Sequence, residues 1–247
     1  MKEARITMGM PASVEVVGEN AQAGIDAVFS YFSEVEERFS PYKSTSEVSR
    51  VNSGELTLEK VSADFREVFA LAEKTKQETD GYFDIHRPQG GIDPSGIVKG
   101  WALLKASQSL SSLGYENFCI DVGGDVSVRG VNAEGKLWSV GIRNPFTHDE
   151  IVKVVYPNRA GIATSGSAAR GNHIYNPHAP ADHPQDIASI TVVGPDILEA
   201  DRFATAAFAM GKEGVQFIEA LPGFEAYLID SSGIATMTSD FTRYTHV

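Results

Sequence analysis

Over residues 21–39 apolar side chains recur at threes and fours: Ile25, Val28, Phe29, Phe32, Val35 and Phe39. That spacing draws a single apolar stripe along an α-helix, so this helix must pack into a core. A second amphipathic helix is predicted over residues 62–79, opened by Ser62 as N-cap and closed by Asp80-Gly81. Between the two lies a polar, turn-rich run that carries Tyr42 and ends in a short capped helix.

The remaining segments read mostly as strands. Residues 12–17 alternate, after a kink or bulge at Met8-Gly9-Met10-Pro11. Residues 117–122 form a buried strand that runs into Gly123-Gly124-Asp125, and residues 126–130 continue as another. Two more strands are expected at 138–145 and 151–156, with Asn144-Pro145 turning between them. Residues 161–167 are a strand that breaks into small residues, residues 189–194 a strand that feeds a helix, and residues 227–238 a closing hairpin around Ser231-Ser232-Gly233. A further helix is expected from near Val98 to about Leu113.

No Pro-, Ser- or charge-rich linker divides the 247 residues, so residues 1–247 are expected to form one domain. The formal charge of -12 argues against a nucleic-acid partner, whose affinity comes from Lys and Arg displacing counterions. Cys119 is the only cysteine, which rules out an internal disulfide and a thiolate metal site. The N-terminus lacks an apolar signal region and no window approaches the ~20 apolar residues that span a bilayer. A cytoplasmic protein without membrane insertion is therefore expected, or a periplasmic one if a leader is removed.

One residue stands out against this background. Residues 198–211 read as a helix, and Asp201 sits inside it among Ala and Phe, where propensity disfavours an acid. It is either an N-terminal cap or first-turn acid following Gly194-Pro195-Asp196, or a ligand. Four residues on is Thr205, on the same helix face, and two hard oxygens so placed can hold a hard cation. Glycines entering the helix near Gly96 let backbone amides approach an anion, although their spacing matches neither a Walker loop nor a dinucleotide fingerprint. Gly123-Gly124 is a plain tight turn or a place where backbone meets ligand. His173 lies in a polar turn, where a ligand contact and a structural role are both open, while His178 and His183 read as solvated. Together these breaks suggest a ligand with a phosphate group and a divalent ion.

In order along the chain stand Met8-Gly9, Ser40-x-Tyr42, Ser46-Glu47-Val48-Ser49-Arg50-x-Asn52, Gly81-x-Phe83-Asp84-Ile85 and Asp93-x-x-Gly96-Ile97-x-Lys99-Gly100. Gly123-Gly124-Asp125, Thr164-Ser165-Gly166, His173-Ile174 with Pro177, and Ala200-Asp201-x-x-Ala204-Thr205-Ala206 follow. This series resembles the ApbE-type FAD:protein FMN transferases over nearly the whole chain. The resemblance implies an α+β fold, ApbE-like and T-fold-like, with mostly antiparallel or mixed sheets packed with helices. It implies FAD as substrate and Mg2+ as cofactor, held by Asp201, Thr205 and the backbone carbonyl of Val98. Met8, Tyr42, Asp93, Gly96, Lys99, Gly123, Gly124, Asp125, Ser165 and Gly166 would contact FAD, and His173, Asp201 and Thr205 would serve the chemistry. The implied reaction transfers FMN from FAD to a threonine of an acceptor flavoprotein and releases AMP; an FAD pyrophosphatase and a non-catalytic FAD-binding protein are the alternatives. The chain departs from the family pattern at Met10, Val98, Asp121, Ala168 and Asn176.

Overall fold

The computed structural model describes residues 1–147, 150–158, 160–166, 174–179 and 184–245. Its first two strands, β1 (Lys2–Thr7) and β2 (Met10–Val17), pair antiparallel with Thr7 opposite Met10. Met8 and Gly9 are therefore the two central residues of a hairpin turn, at φ 49 and 72. Two positive φ angles suit the right-handed twist of the flanking strands. The kink or bulge expected here is this turn, and β1 itself escapes detection because most of its side chains are exposed on both sides of the edge.

Helix α1 (Ala21–Phe39) has the expected bounds and buries the expected stripe. The short α2 (Glu47–Asn52) is capped by Ser46, whose side chain accepts from the Ser49 amide. In α3 (Ala63–Glu78) Ser62 caps in the same way, accepting from Phe65, and Asp80 and Gly81 close it at φ 48 and 82. Helix α4 (Ser95–Ser112) starts earlier than the residue near Val98 that its pattern suggests. The cause is Asp93, whose Oδ1 accepts from both the amide and the hydroxyl of Ser95 and so organises the opening turn.

The chain continues through β3 (Asn117–Val122), β4 (Asp125–Arg129), β5 (Val140–Arg143), β6 (Ile151–Val155), β7 (Gly161–Gly166), β8 (Ile187–Gly194), α5 (Ile197–Ala209), α6 (Gly214–Glu219), β9 (Glu225–Asp230) and β10 (Ala235–Met237). Eight of these strands form one sheet in the order β1-β2-β3-β4-β7-β8-β9-β10, with every paired neighbour antiparallel. Strands β5 and β6 pair only with each other. The architecture is α+β.

Two apolar layers flank the large sheet. On one face Val14, Phe118, Ile120, Ile190 and Val192 meet α1, α4 and α5 through Phe32, Trp101, Leu103 and Phe203. On the other, Val126, Val128, Ile162 and Val193 meet Trp138, Ile142, Val155 and Phe241. The registers bring the start of β2, the end of β3, the start of β4, the end of β7 and the start of β8 to one end of the sheet. No helix among the described residues is long and apolar enough to cross a membrane.

Candidate functional site

Helix α5 begins after Asp196, whose carboxylate accepts from the Glu199 amide at 2.9 Å. The cap position is thus taken, and Asp201 lies beyond the first turn. The reading of Asp201 as a cap or first-turn acid is incorrect, because Asp196 and Glu199 already supply the acids that the helix start favours.

Asp201 instead faces α4. Its Oδ2 accepts from the Gly100 amide at 2.7 Å, and Thr205, one turn further, directs its hydroxyl to the Gly96 carbonyl at 3.4 Å. The two helices therefore run antiparallel with their contact faces in register. Glycine is required at the crossing: a Cβ on Gly100 would stand 2.7 Å from the Asp201 Cβ and 3.0 Å from the Ile197 carbonyl oxygen. Gly96 is enclosed by Phe83 and the Thr205 methyl.

Asp201 is only 2% exposed. Lys99 Nζ lies 3.5 Å from its Oδ1 and 2.5 Å from Oδ2 of Asp125, which is also fully buried. The other oxygen of Asp125 accepts from the Thr164 amide at 3.0 Å, which fixes β4 to β7 at the sheet end. Burial pushes the Asp201 carboxyl up to about 7; Lys99 opposes this, while Asp125 adds to it. When both carboxylates are ionised, two buried acids face one ammonium and a unit of negative charge is left for a cation to balance.

That donor set fits a hard divalent cation: anionic oxygens short of positive charge, with the Thr205 hydroxyl one helical turn away. Among the described residues no three His, Cys, Asp or Glu converge on a common point, so such an ion would take further oxygens from backbone or ligand. Val98, just before Lys99 in the opening turns of α4, is buried.

The glycine turns lie at the same sheet end. Gly123 and Gly124, at φ 63 and 95, are the exposed central pair of the β3–β4 hairpin. Met10 packs beneath them, its sulfur 2.8 Å from where a Gly123 Cβ would be, and the Gly123 amide donates to the Pro11 carbonyl at 2.9 Å. Asp121 does not project a free charge into the cleft, since its Oδ1 accepts from the Gly124 amide at 2.9 Å; burial raises its carboxyl above the usual range. Ser165 is buried near the end of β7, next to Gly166.

Glu36 of α1 accepts from the Met8 amide at 3.0 Å, joining the last turns of α1 to the β1–β2 turn. Tyr42 emerges just beyond, 94% exposed. Asp93 sits just ahead of α4, its Oδ1 engaged by Ser95. The structure thus gathers Gly96, Lys99, Asp125, Asp201 and Thr205 in one contact cluster. Met8, Gly123, Gly124, Ser165 and Gly166 stand along the sheet end beside it. His173, Ala168 and His183 lie outside the described residues. His178, read as solvated, is exposed but engaged: its Nε2 is 2.8 Å from the Asp80 carbonyl oxygen and its ring meets the Tyr82 ring at 4.6 Å. Two contributions have no single-sequence signal, the pairing of Lys99 with both acids and the Thr164–Asp125 bond, because each joins segments far apart in the chain.

A model of the ApbE family matches residues 8–89 and 86–228. The chain belongs to the ApbE family. Among curated relatives, "FAD:protein FMN transferase" of Haemophilus influenzae is 24% identical, over 94% of this chain and 86% of that protein. The Escherichia coli K12 protein of the same name is 28% identical over 64% of this chain, and the aligned stretch spans 47% of its length. Of solved structures, the ApbE protein of Thermotoga maritima superposes with a TM-score of 0.89 at 20% identity, covering 100% of this chain and 99% of that one. The flavin transferase ApbE of Vibrio cholerae superposes with a TM-score of 0.85 at 21% identity, covering 99% and 98%. The ApbE fold is therefore shared along the whole chain.

Proposed function

We propose that this ApbE-family chain transfers the FMN half of FAD to a threonine hydroxyl of an acceptor protein and releases AMP. The observation that carries this reading is the buried Asp201–Lys99–Asp125 cluster beside the start of α4, in a chain whose relatives are named FAD:protein FMN transferase. The threonine oxygen bonds to the FMN phosphorus while the bond from that phosphorus to the bridging oxygen breaks. AMP leaves with the electron pair.

Magnesium, held by Asp201, Thr205 and the Val98 carbonyl, would supply charge neutralisation on the pyrophosphate. The chain's own residues do the rest. The start of α4 presents its dipole to the phosphates, and the exposed Gly123-Gly124 turn, which carries no side chains, leaves room for them against the backbone. Lys99 balances the acids beneath, Asp93 keeps the opening turn in place, and Ser165 and Gly166 line the opposite side. Met8 and the exposed Tyr42 ring offer surfaces for a planar group of FAD. His173 is assigned the threonine proton, a role worth ~10²-fold to 10⁴-fold.

Incubating the purified protein with FAD, Mg2+ and a candidate acceptor tests the reading. A fluorescent acceptor band, with a threonine carrying the mass of FMN, supports it. AMP release at the same rate without acceptor identifies an FAD pyrophosphatase instead, and bound FAD without any AMP over hours identifies a carrier.

A further inference from the structure

Arg202 follows Asp201 directly and is 3% exposed, a rare state for an arginine. Where Asp201 faces α4, Arg202 faces α3. Its Nε and Nη2 donate to the two carboxylate oxygens of Glu199 in a fork, and its Nη1 donates to the Thr75 hydroxyl and to Glu78. The guanidinium carbon also lies 4.0 Å from the Phe203 ring centroid. Every nitrogen of the side chain is engaged, and the partners come from its own helix and from the last turn of α3.

The chain leaving that last turn closes a loop back to the site. Thr79 caps α3 and its hydroxyl accepts from the Phe83 amide at 3.1 Å, and Phe83 packs on Gly96 at the start of α4. Gly96 in turn meets Thr205. Helix α5 is thus held on two sides, by the bonds of its Arg202 to Thr75 and Glu78 of α3 and by the glycine face of α4, with α3 and α4 joined through Phe83.

A buried ion pair adds little to stability over a well-packed apolar substitute, because desolvating the charges offsets their attraction. What the planar fork offers is orientation. We propose that Arg202 is a positioning residue, fixing the rotation of α5 so that Asp201 and Thr205 face the opening turns of α4. Its consequence for metal and FAD rests on the functional reading above; its consequence for the Asp201–Gly100 bond does not.

The test compares wild type, Arg202→Lys, and a triple variant in which Arg202→Met is combined with Glu78→Gln and Glu199→Gln. The triple variant removes the buried guanidinium and its two carboxylate partners together, leaving only the exposed Lys74 without its contact to Glu78, and thermal melting reports whether it folds. The first readout is the NMR shift of the Gly100 amide proton in flavin-free protein, with Asp201→Ala as the reference for a lost bond. The second is the Mg2+ concentration that half-saturates FAD binding, followed by flavin fluorescence. In the folded triple variant the Gly100 shift moves toward that of Asp201→Ala, and half-saturation needs about tenfold more Mg2+. Arg202→Lys falls between, and carries the test alone if the triple variant does not fold. A Gly100 shift unchanged in the folded variants overturns the positioning role. If FAD binding by wild type ignores Mg2+ while the shift moves, the positioning role stands and the functional reading fails.

Discussion

Gly100 donates its amide to Asp201 Oδ2 at 2.7 Å, and no side chain on Gly100 would fit beside that carboxylate. Two helices approach closely there, and a buried acid gains a backbone donor that partly offsets its burial. One glycine therefore serves both packing and electrostatics.

The variant Gly100→Ala separates two opposing effects. Helix propensity favours alanine by up to about 1 kcal/mol. Overpacking against the Asp201 Cβ and the Ile197 carbonyl costs about 1–3 kcal/mol, since the obstacles include backbone. Packing wins, so urea denaturation should show a net loss of stability, and FAD binding should lose its dependence on Mg2+. A variant as stable as wild type with normal binding would show that α4 and α5 can separate freely.

Thr205 offers a cleaner dissection, because its bond to the Gly96 carbonyl is long, at 3.4 Å, and contributes little to the fold. Thr205→Val keeps the shape, including the methyl against Gly96. Its melting temperature should stay within a few degrees of wild type, while the Mg2+ requirement for FAD binding rises at least about tenfold. Thr205→Ser should restore binding. Equal binding by the valine and serine variants would remove the hydroxyl from the site.

These positions show how far the amino-acid order carries. The stripe of α1, the Ser62 cap and the alternation of β2 are local, and the structure has them where the pattern puts them. The edge strand β1 is missed because its side chains are mostly exposed and polar, leaving no alternation to read. At the site, Asp201 and Thr205 are visible as one helix face, and the glycine turns as breaks at strand ends. The function of Gly100 as a packing contact for Asp201 is not visible, nor is the sharing of Lys99 between Asp125 and Asp201. Each depends on the sheet register and the helix crossing, which no local spacing encodes.

Protonation of Asp201 should leave a mark on the stability of the metal-free protein. Its carboxyl, pushed up to about 7 chiefly by burial, keeps a proton in the folded state at pH values where the unfolded chain, near the ordinary 3.8, has lost it. The folded state thus binds more protons between roughly pH 4 and 7, and its stability falls as pH rises through that window. Asp201→Asn should flatten this part of the profile. Urea midpoints measured every half pH unit in EDTA supply the comparison, and parallel profiles for the two proteins would place the titration elsewhere. Added Mg2+ should restore stability to wild type at neutral pH and leave the asparagine variant unchanged.

The 2.5 Å contact of Lys99 with Asp125 predicts strong coupling between the two. Asp125→Asn can still accept from the Thr164 amide through Oδ1, but it turns an NH2 group toward the ammonium. Breaking a buried pair from one side costs about 3–5 kcal/mol, and the second carboxylate, Asp201 at 3.5 Å, should hold the cost near the lower end. Lys99→Met leaves two buried carboxylates facing each other and should cost as much. The double variant has one buried acid, still bonded to the Gly100 amide, and should be less destabilised than the sum by about 1–3 kcal/mol. Denaturation of all four proteins closes the cycle. Simple additivity would mean that Lys99 answers to Asp201 rather than to Asp125, and the positive charge would then belong to the α5 side of the site.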